Sequence, residues 1–291
     1  MQMITQLSIF DDTELGDLEK LVLVIKNLPD EKLLKALNQR RKKGGAGYSN
    51  ESLWTAFIAK FVFQHPTIES LIRELRRNSQ FRKICGFEPW EDTNGVVHIV
   101  PGSSTFSRFI SRLMEYESET AEIFQALVKT MYERLPDFGE TCAMDGKIIE
   151  AYASSFRKEK SKDRRADQDA ARTAKTYTSE DGTKTTTRYF YGYRVHLLCD
   201  CKYELPIRYT VTSADKGEVT EAKKLLFQKK LPDYKRMKYF IADRGYDDTD
   251  LIERLEEKGV TILIPNRHMW KEEATRQYLD TDLIYDQSGN V

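Results

Sequence analysis

The sequence predicts an α+β protein, an all-helical N-terminal part followed by a mixed sheet covered by helices. Three observations predict it. Apolar residues recur at helical spacing as far as Leu135. Past Pro136 the pattern changes to short β-rich runs. The runs then follow the order strand, strand, strand, helix, strand, helix, strand, which implies strands of mixed direction covered by helices. At 291 residues, 40% hydrophobic and 32% charged, the chain has enough apolar matter for a core and room for more than one domain. Disorder throughout is excluded. The longest apolar stretches, Leu21–Ile25 and Phe57–Phe63 (interrupted by Lys60), fall far short of the ~20 residues that span a bilayer. No basic-then-apolar leader pattern opens the chain, so a cytoplasmic protein without a membrane partner is expected.

Residues 1–47 form a helical extension. It holds an acidic, aliphatic helix around Leu15–Ile25, a second helix over Asp30–Arg41 and a break at Gly44–Gly47. Residues 48–135 form a second helical domain. Ser49 or Asn50 caps a helix that Pro66 ends, and Trp54, Phe57 and Phe61 fall on its core side. Thr67 opens TIESLIRELRRN, with Ile68, Leu71, Ile72 and Leu75 in register. A short helix, Ser79–Cys85, is closed by Gly86, and after a loop with two prolines Ser103 or Ser104 caps a helix reaching Leu135. This pattern fits a helix-turn-helix-like DNA-binding unit, and equally a plain helical bundle. Residues 136–291 carry the strands Thr141–Met144, Tyr189–Cys199, Leu205–Thr212, Tyr239–Ala242 and Val260–Pro265. The helices Glu218–Lys230 and Thr249–Lys258 come between them, the second closed by Gly259. Near 152–188 lies a charged stretch poor in apolar residues, read as a flexible insertion, helical over Lys162–Lys175.

The 46 basic and 46 acidic residues cancel, yet local clusters set the local field. Gln39–Lys43 reads QRRKK; Arg73, Arg76, Arg77, Arg82 and Lys83 face a single acid, Glu74; Arg157–Lys175 holds eight basic residues against four acidic. Each is also what a solvated helix face looks like, but the three together point to a polyanion. The four cysteines form no CxxC pair, so reduced thiols and no zinc site are expected.

Two aspartates stand out. Asp145 follows TCAM and precedes Gly146; Asp243 follows KYFIA and precedes Arg244 and Gly245. Each is expected where a buried strand ends and a glycine lets the chain turn sharply. In open α/β sheets ligands gather outside the carboxyl ends of strands. If the two strands are neighbours, two carboxylates meet there and repel one another unless a cation compensates. Hard oxygen donors suit Mg²⁺ or Mn²⁺, and such ions can clamp a phosphodiester. A lone aspartate after a strand more often merely starts a turn.

The segments DGKIIEAYAS at Asp145, GYRVHLLCD at Gly192, TSADKGEVTEAKKLL at Thr212 and IADRGYDDTDLIERLEEKG at Ile241 resemble the catalytic domain of DDE-type insertion-sequence transposases. The run from Gly47 to Pro89, then PGSSTFSRF, resembles the N-terminal helical domain of the same enzymes. The resemblance spans roughly residues 45–270 and implies an RNase H-like fold for 136–291, incomplete at its C-terminus. It implies that Asp145 and Asp243 are catalytic and hold Mg²⁺ or Mn²⁺. It also implies element-end and target DNA as partners, a homodimer, and DNA cleavage followed by strand transfer.

The family's third acid is a glutamate on a helix beyond the fifth strand, marked by Tyr, two residues, Arg, three residues, Glu. That spacing is absent here. Glu272 and Glu273 are the candidates left, and the chain is read as a truncated transposase or the first part of a split one. The rival readings are a catalytically inactive DNA-binding remnant that inhibits an intact copy, and an RNase H-like nuclease unrelated to mobile elements. Arg73, Arg76, Arg77, Arg82 and Arg108 are candidate phosphate contacts. Lys147 and Arg244 flank the two acids and either contact phosphate or neutralise the carboxylates. Asp215 and Glu218 open a helix, where acids ordinarily serve the dipole. His196 alternates with Arg194 along its strand.

Overall fold

The structure is a computed structural model. It describes residues 15–39, 47–153, 167, 169–179, 184–227, 236–265, 275–277 and 281–285. The chain divides into two compact units, Met1–Thr130 and Met131–Val291.

The first unit is helical: α1 (Leu18–Asn27), α2 (Glu31–Gln39), α3 (Asn50–Val62), α4 (Ile68–Arg77), α5 (Ser79–Ile84), α6 (Ser103–Leu113) and α7 (Glu117–Arg134), inside which the boundary falls. A two-residue hairpin, β1 (Trp90–Glu91) and β2 (Val97–His98), occupies the loop before α6. Local chemistry sets the helix starts. Ser49 Oγ accepts from the Ser52 N–H at 2.9 Å. Thr67 and Ser70 form a reciprocal capping box ahead of α4, and Asn78 Oδ1 accepts from the Phe81 N–H at 2.9 Å ahead of α5. Leu18, Leu21, Leu33 and Leu37 lie in one core with Leu53, Leu71, Leu75, Phe81, Phe106 and Phe109. The division expected at residue 47 therefore does not divide the core. Buried Asn50 ties α3 to α2 by donating to the Leu37 carbonyl at 3.2 Å and to Asn38 Oδ1 at 2.8 Å.

Two expectations for this unit need correction. The helix predicted from Ser103 to Leu135 is broken by a 3-10 turn at Met114–Tyr116, and Gly102, with no side chain to bond, stands at its start. Phe61 is exposed rather than in the core, its ring edge-on to that of Phe57.

The second unit carries a six-stranded sheet made of β3 (Thr141–Glu150), β4 (Ala171–Thr178), β5 (Thr185–Asp200), β6 (Pro206–Ser213), β7 (Tyr239–Ala242) and β8 (Thr261–Leu263). β5 is long enough to pair antiparallel with β4 along its first half and with β3 and β6 along its second. β7 runs parallel to β3, and β8 parallel to β7. The helices α8 (Glu218–Phe227) and α9 (Thr249–Glu256) supply these crossovers. Cys142, Met144, Leu198, Phe240 and Ala242 alternate onto one face and bury there, as do Leu225, Leu226, Leu251 and Leu255 of the helices. Asp200 pins the end of β5: Oδ2 accepts from the Gly139 N–H at 2.7 Å, and Oδ1 from Lys202 and Tyr203. The sheet strands and helices agree with the α+β expectation. A last short pair joins β9 (Arg276–Gln277) to β10 (Ile284–Tyr285).

The insertion expected near 152–188 is partly corrected. Residues 171–178 form a strand on β5, not the end of a helix over Lys162–Lys175. Thr173, Thr176, Tyr177 and Thr178 are β-formers, and the pairing partner Thr185–Gly192 overrides the charge-rich composition. Residues 154–166 lie outside the described residues, as do 40–46, so the basic runs there carry no structural account.

Candidate active site

β3 and β7 are adjacent parallel strands whose last paired residues are Met144 and Ala242. The next residue on each is an aspartate, so Asp145 and Asp243 stand side by side at the carboxyl edge. Residue alternation puts both on the face opposite α8 and α9. That face is open: Asp145 and Asp243 are exposed, and Ile149, Tyr209, Val211 and Leu263 on the same side are about half exposed.

The two turns differ from each other. Asp243 does end its strand, and its Oδ1 caps a 3-10 turn by accepting from the Gly245 N–H at 2.9 Å. Asp145 does not. β3 continues through Gly146 to Glu150, because its pairing with β5 runs on as far as Gly192 after the pairing with β7 stops. The sharp departure expected at Gly146 is therefore absent. Asp145 Oδ1 accepts from its neighbour Gly146 N–H at 2.7 Å. Each carboxylate is thus held through one oxygen, and the other has no hydrogen-bond partner among the described residues.

Both glycines serve a third acid. A Cβ at Gly146 would lie 3.1 Å from Glu218 Oε1, and one at Gly245 would lie 3.3 Å from Glu218 Oε2 and 2.9 Å from Asp243 Oδ1. Glu218, the first residue of α8, therefore brings its carboxylate between the two aspartate-bearing segments. Its Oε1 pairs with Arg194 Nη1 at 3.0 Å. Arg194 is buried, 8% exposed, and also donates to the Lys216 carbonyl at 3.4 Å, while its Nε has no partner. The ordinary reading of Glu218 as an acid serving the helix dipole missed this. The signal was present in the alternation of Arg194 with His196, which puts a cation on the covered face, and a buried cation needs a partner.

Tyr246 closes the arrangement. It is fully buried, and its hydroxyl has no hydrogen-bond partner. Burial, then the negative charges of Glu218, Asp145 and Asp243, push its pKa well above the usual phenol range, with Arg194 opposing. His196 stands opposite Gly146 on β5, fully buried, with Nε2 3.2 Å from Thr212 Oγ1. Burial first, then Arg194, hold its pKa below the ordinary imidazole value, against the pull of Glu221.

The family model described as a transposase DDE domain matches residues 137–285, just over half of the chain. The chain belongs to the DDE transposase family. A second model, described as a transposase domain, matches residues 12–112 of the helical unit. No curated protein and no solved structure matches the transposase.

Members of this family act on DNA and use divalent metal ions. The donor types fit such an ion: two carboxylates at the ends of adjacent parallel strands, each with one oxygen not used in a hydrogen bond among the described residues. Among the described residues no three acid, imidazole or thiol side chains converge closely enough to hold one ion together. Glu218, between the two segments, therefore does not complete a three-acid cluster with the aspartates. The candidates Glu272 and Glu273 lie outside the described residues.

Of the other expected residues, Lys147 is exposed and shares Asp145's side of β3, and Arg244 is exposed in the turn after Asp243. In the helical unit Arg73, Arg76 and Arg77 form an exposed stripe on α4, with Arg77 paired to Glu74. Arg108 is exposed on α6. Arg82 is half-buried and differently employed. Its Nη1 donates to the carbonyls of Leu75 and Arg76 at 3.2 and 3.4 Å, satisfying the end of α4. Among the described residues no helix is long and apolar enough to cross a membrane.

Proposed function

We propose that this transposase cuts phosphodiester bonds in the DNA at the ends of its element, with Asp145 and Asp243 together holding Mg²⁺ or Mn²⁺. The observation that carries the reading is the register of β3 against β7, which ends at Met144 and Ala242 and leaves the two aspartates adjacent on the open face. Each carboxylate is oriented by a glycine N–H, so little conformational freedom remains to be lost when it binds. A divalent ion held there supplies the positive charge that activates the attacking oxygen and neutralises the leaving one. Lys147, on Asp145's side of the strand, and Arg244 contact the flanking phosphates. Arg73, Arg76, Arg77 and Arg108 contribute sequence-independent backbone affinity. In the first step water displaces the 3′-oxygen from phosphorus at the element end, leaving a 3′-hydroxyl and a 5′-phosphate. That hydroxyl then attacks a target phosphodiester, forming a new P–O3′ bond as the target's own P–O3′ bond breaks and releases a target 3′-hydroxyl.

A nicking assay tests this, using the 291-residue chain, Mn²⁺ and DNA carrying the element end. The unmodified protein should nick the strand, and Asp243→Ala should bind the DNA but leave it uncut. Metal-dependent cutting retained in that variant would refute the assignment. Binding without nicking by the unmodified chain would favour an inert, inhibitory DNA-binding protein instead.

A further inference from the structure

The Glu218–Arg194 ion pair lies against Gly146 and Gly245, the glycines that follow Asp145 and Asp243. The aspartates face the open side of the sheet. Arg194 belongs to the covered face, as its neighbours in alternation, His196 and Leu198, are fully buried there. Glu218 connects the two sides. Its carboxylate passes where Gly146 and Gly245 lack side chains, and it pairs with Arg194 at 3.0 Å. A buried guanidinium beside two carboxylates would otherwise pair with them or repel any cation they attract, and the screening that weakens such effects in water is reduced here.

We propose that Glu218 is a positioning residue whose task is to cancel the charge of Arg194, leaving Asp145 and Asp243 free to bind a divalent cation. This rests on the reading of the two aspartates as the cation site. It assigns Glu218 no place among the ligands. Arg194 in turn anchors the first turn of α8 through Glu218 and the Lys216 carbonyl. The glycines at 146 and 245 follow from the same arrangement, since a methyl group at either would crowd the Glu218 carboxylate.

The test is Mn²⁺ binding to the full chain, read from the loss of the free-ion electron paramagnetic resonance signal. Asp145→Asn and Asp243→Asn should each abolish most of the binding. Glu218→Gln strands the positive charge and should weaken binding about tenfold or more, the size of other effects exerted through groups behind the ligands. Arg194→Gln/Glu218→Gln removes both charges and should return the affinity to within about threefold of the unmodified protein. Arg194→Gln alone should bind Mn²⁺ at least as tightly as the unmodified protein, and it serves if Glu218→Gln does not fold. Unchanged binding in Glu218→Gln, a double variant as weak as Glu218→Gln, or weaker binding in Arg194→Gln would each overturn the inference while leaving the aspartates in place. Unchanged binding in both aspartate variants would instead overturn the site itself.

Discussion

Asp145 and Asp243 are placed by what holds them. One oxygen of each is fixed by a glycine N–H, and the sheet register makes them neighbours. His196, behind them, behaves differently. It is fully buried, and its pKa is lowered from the ordinary 6.5, first by burial and then by Arg194 on its own strand, with Glu221 of α8 pulling the other way. A histidine whose folded pKa is depressed stays neutral in the native state while the unfolded chain takes up a proton. Its contribution to stability is fully present above the unfolded value, about 6.5, and is lost as pH falls below it toward the folded value. His65 of the helical unit, its pKa also lowered by burial, contributes separately with the same sign. Melting temperatures measured between pH 7.5 and 5 should therefore fall with acid, and His196→Gln should flatten that slope in part. A His196→Gln profile parallel to the unmodified one would show that His196 is not buried neutral.

The elements are decided by pairing more than by composition. β5 is the clearest case, since it pairs with β3, β4 and β6, and residues of three other segments, Glu150, Ala171 and Ala214, meet it at Gly192. A Cβ at Gly192 would lie 2.1 Å from the Ile149 carbonyl and 2.7 Å from the Ala151 N–H. Only backbone movement relieves such a clash, so Gly192→Ala should cost about 3 kcal/mol or more, measured by urea unfolding. A cost under about 1 kcal/mol would mean that β3 and β5 can separate there without loss. Most of this sheet was legible in the sequence. Tyr239–Ala242 was readable to the residue, because a short apolar run between charged turns admits one interpretation. β4 was not legible, since Arg172, Lys175 and their neighbours look like a solvated linker until a partner strand is known. The break at Met114–Tyr116 was equally hidden, as neither glycine nor proline marks it. Glu218 was visible only as an acid at a helix start, and its partner Arg194 lies 24 residues earlier, on β5.

At the scale of the whole molecule, the 46 positive and 46 negative charges cancel, so attraction to DNA must come from where the charges sit. The exposed stripe of Arg73, Arg76 and Arg77 on α4 is the backbone contact proposed above. Replacing all three with glutamine should weaken DNA binding at low salt and reduce the slope of log K against log salt by up to about 3, since each phosphate contact carries roughly 0.9. Because the three side chains are exposed, the melting temperature should hardly move. An unchanged salt slope would remove α4 from the DNA surface. The proposed site at the aspartate pair makes a spatial prediction, that residues far apart in the chain share one ion. Iron-directed backbone cleavage measures this directly, with Fe²⁺ substituted for the native ion and peroxide and ascorbate generating radicals at the bound metal. Cuts are expected near both 145 and 243–246 in the same protein, with both sets lost in Asp145→Asn. Cuts at only one of the two segments, or cuts near 243–246 that survive Asp145→Asn, would contradict it.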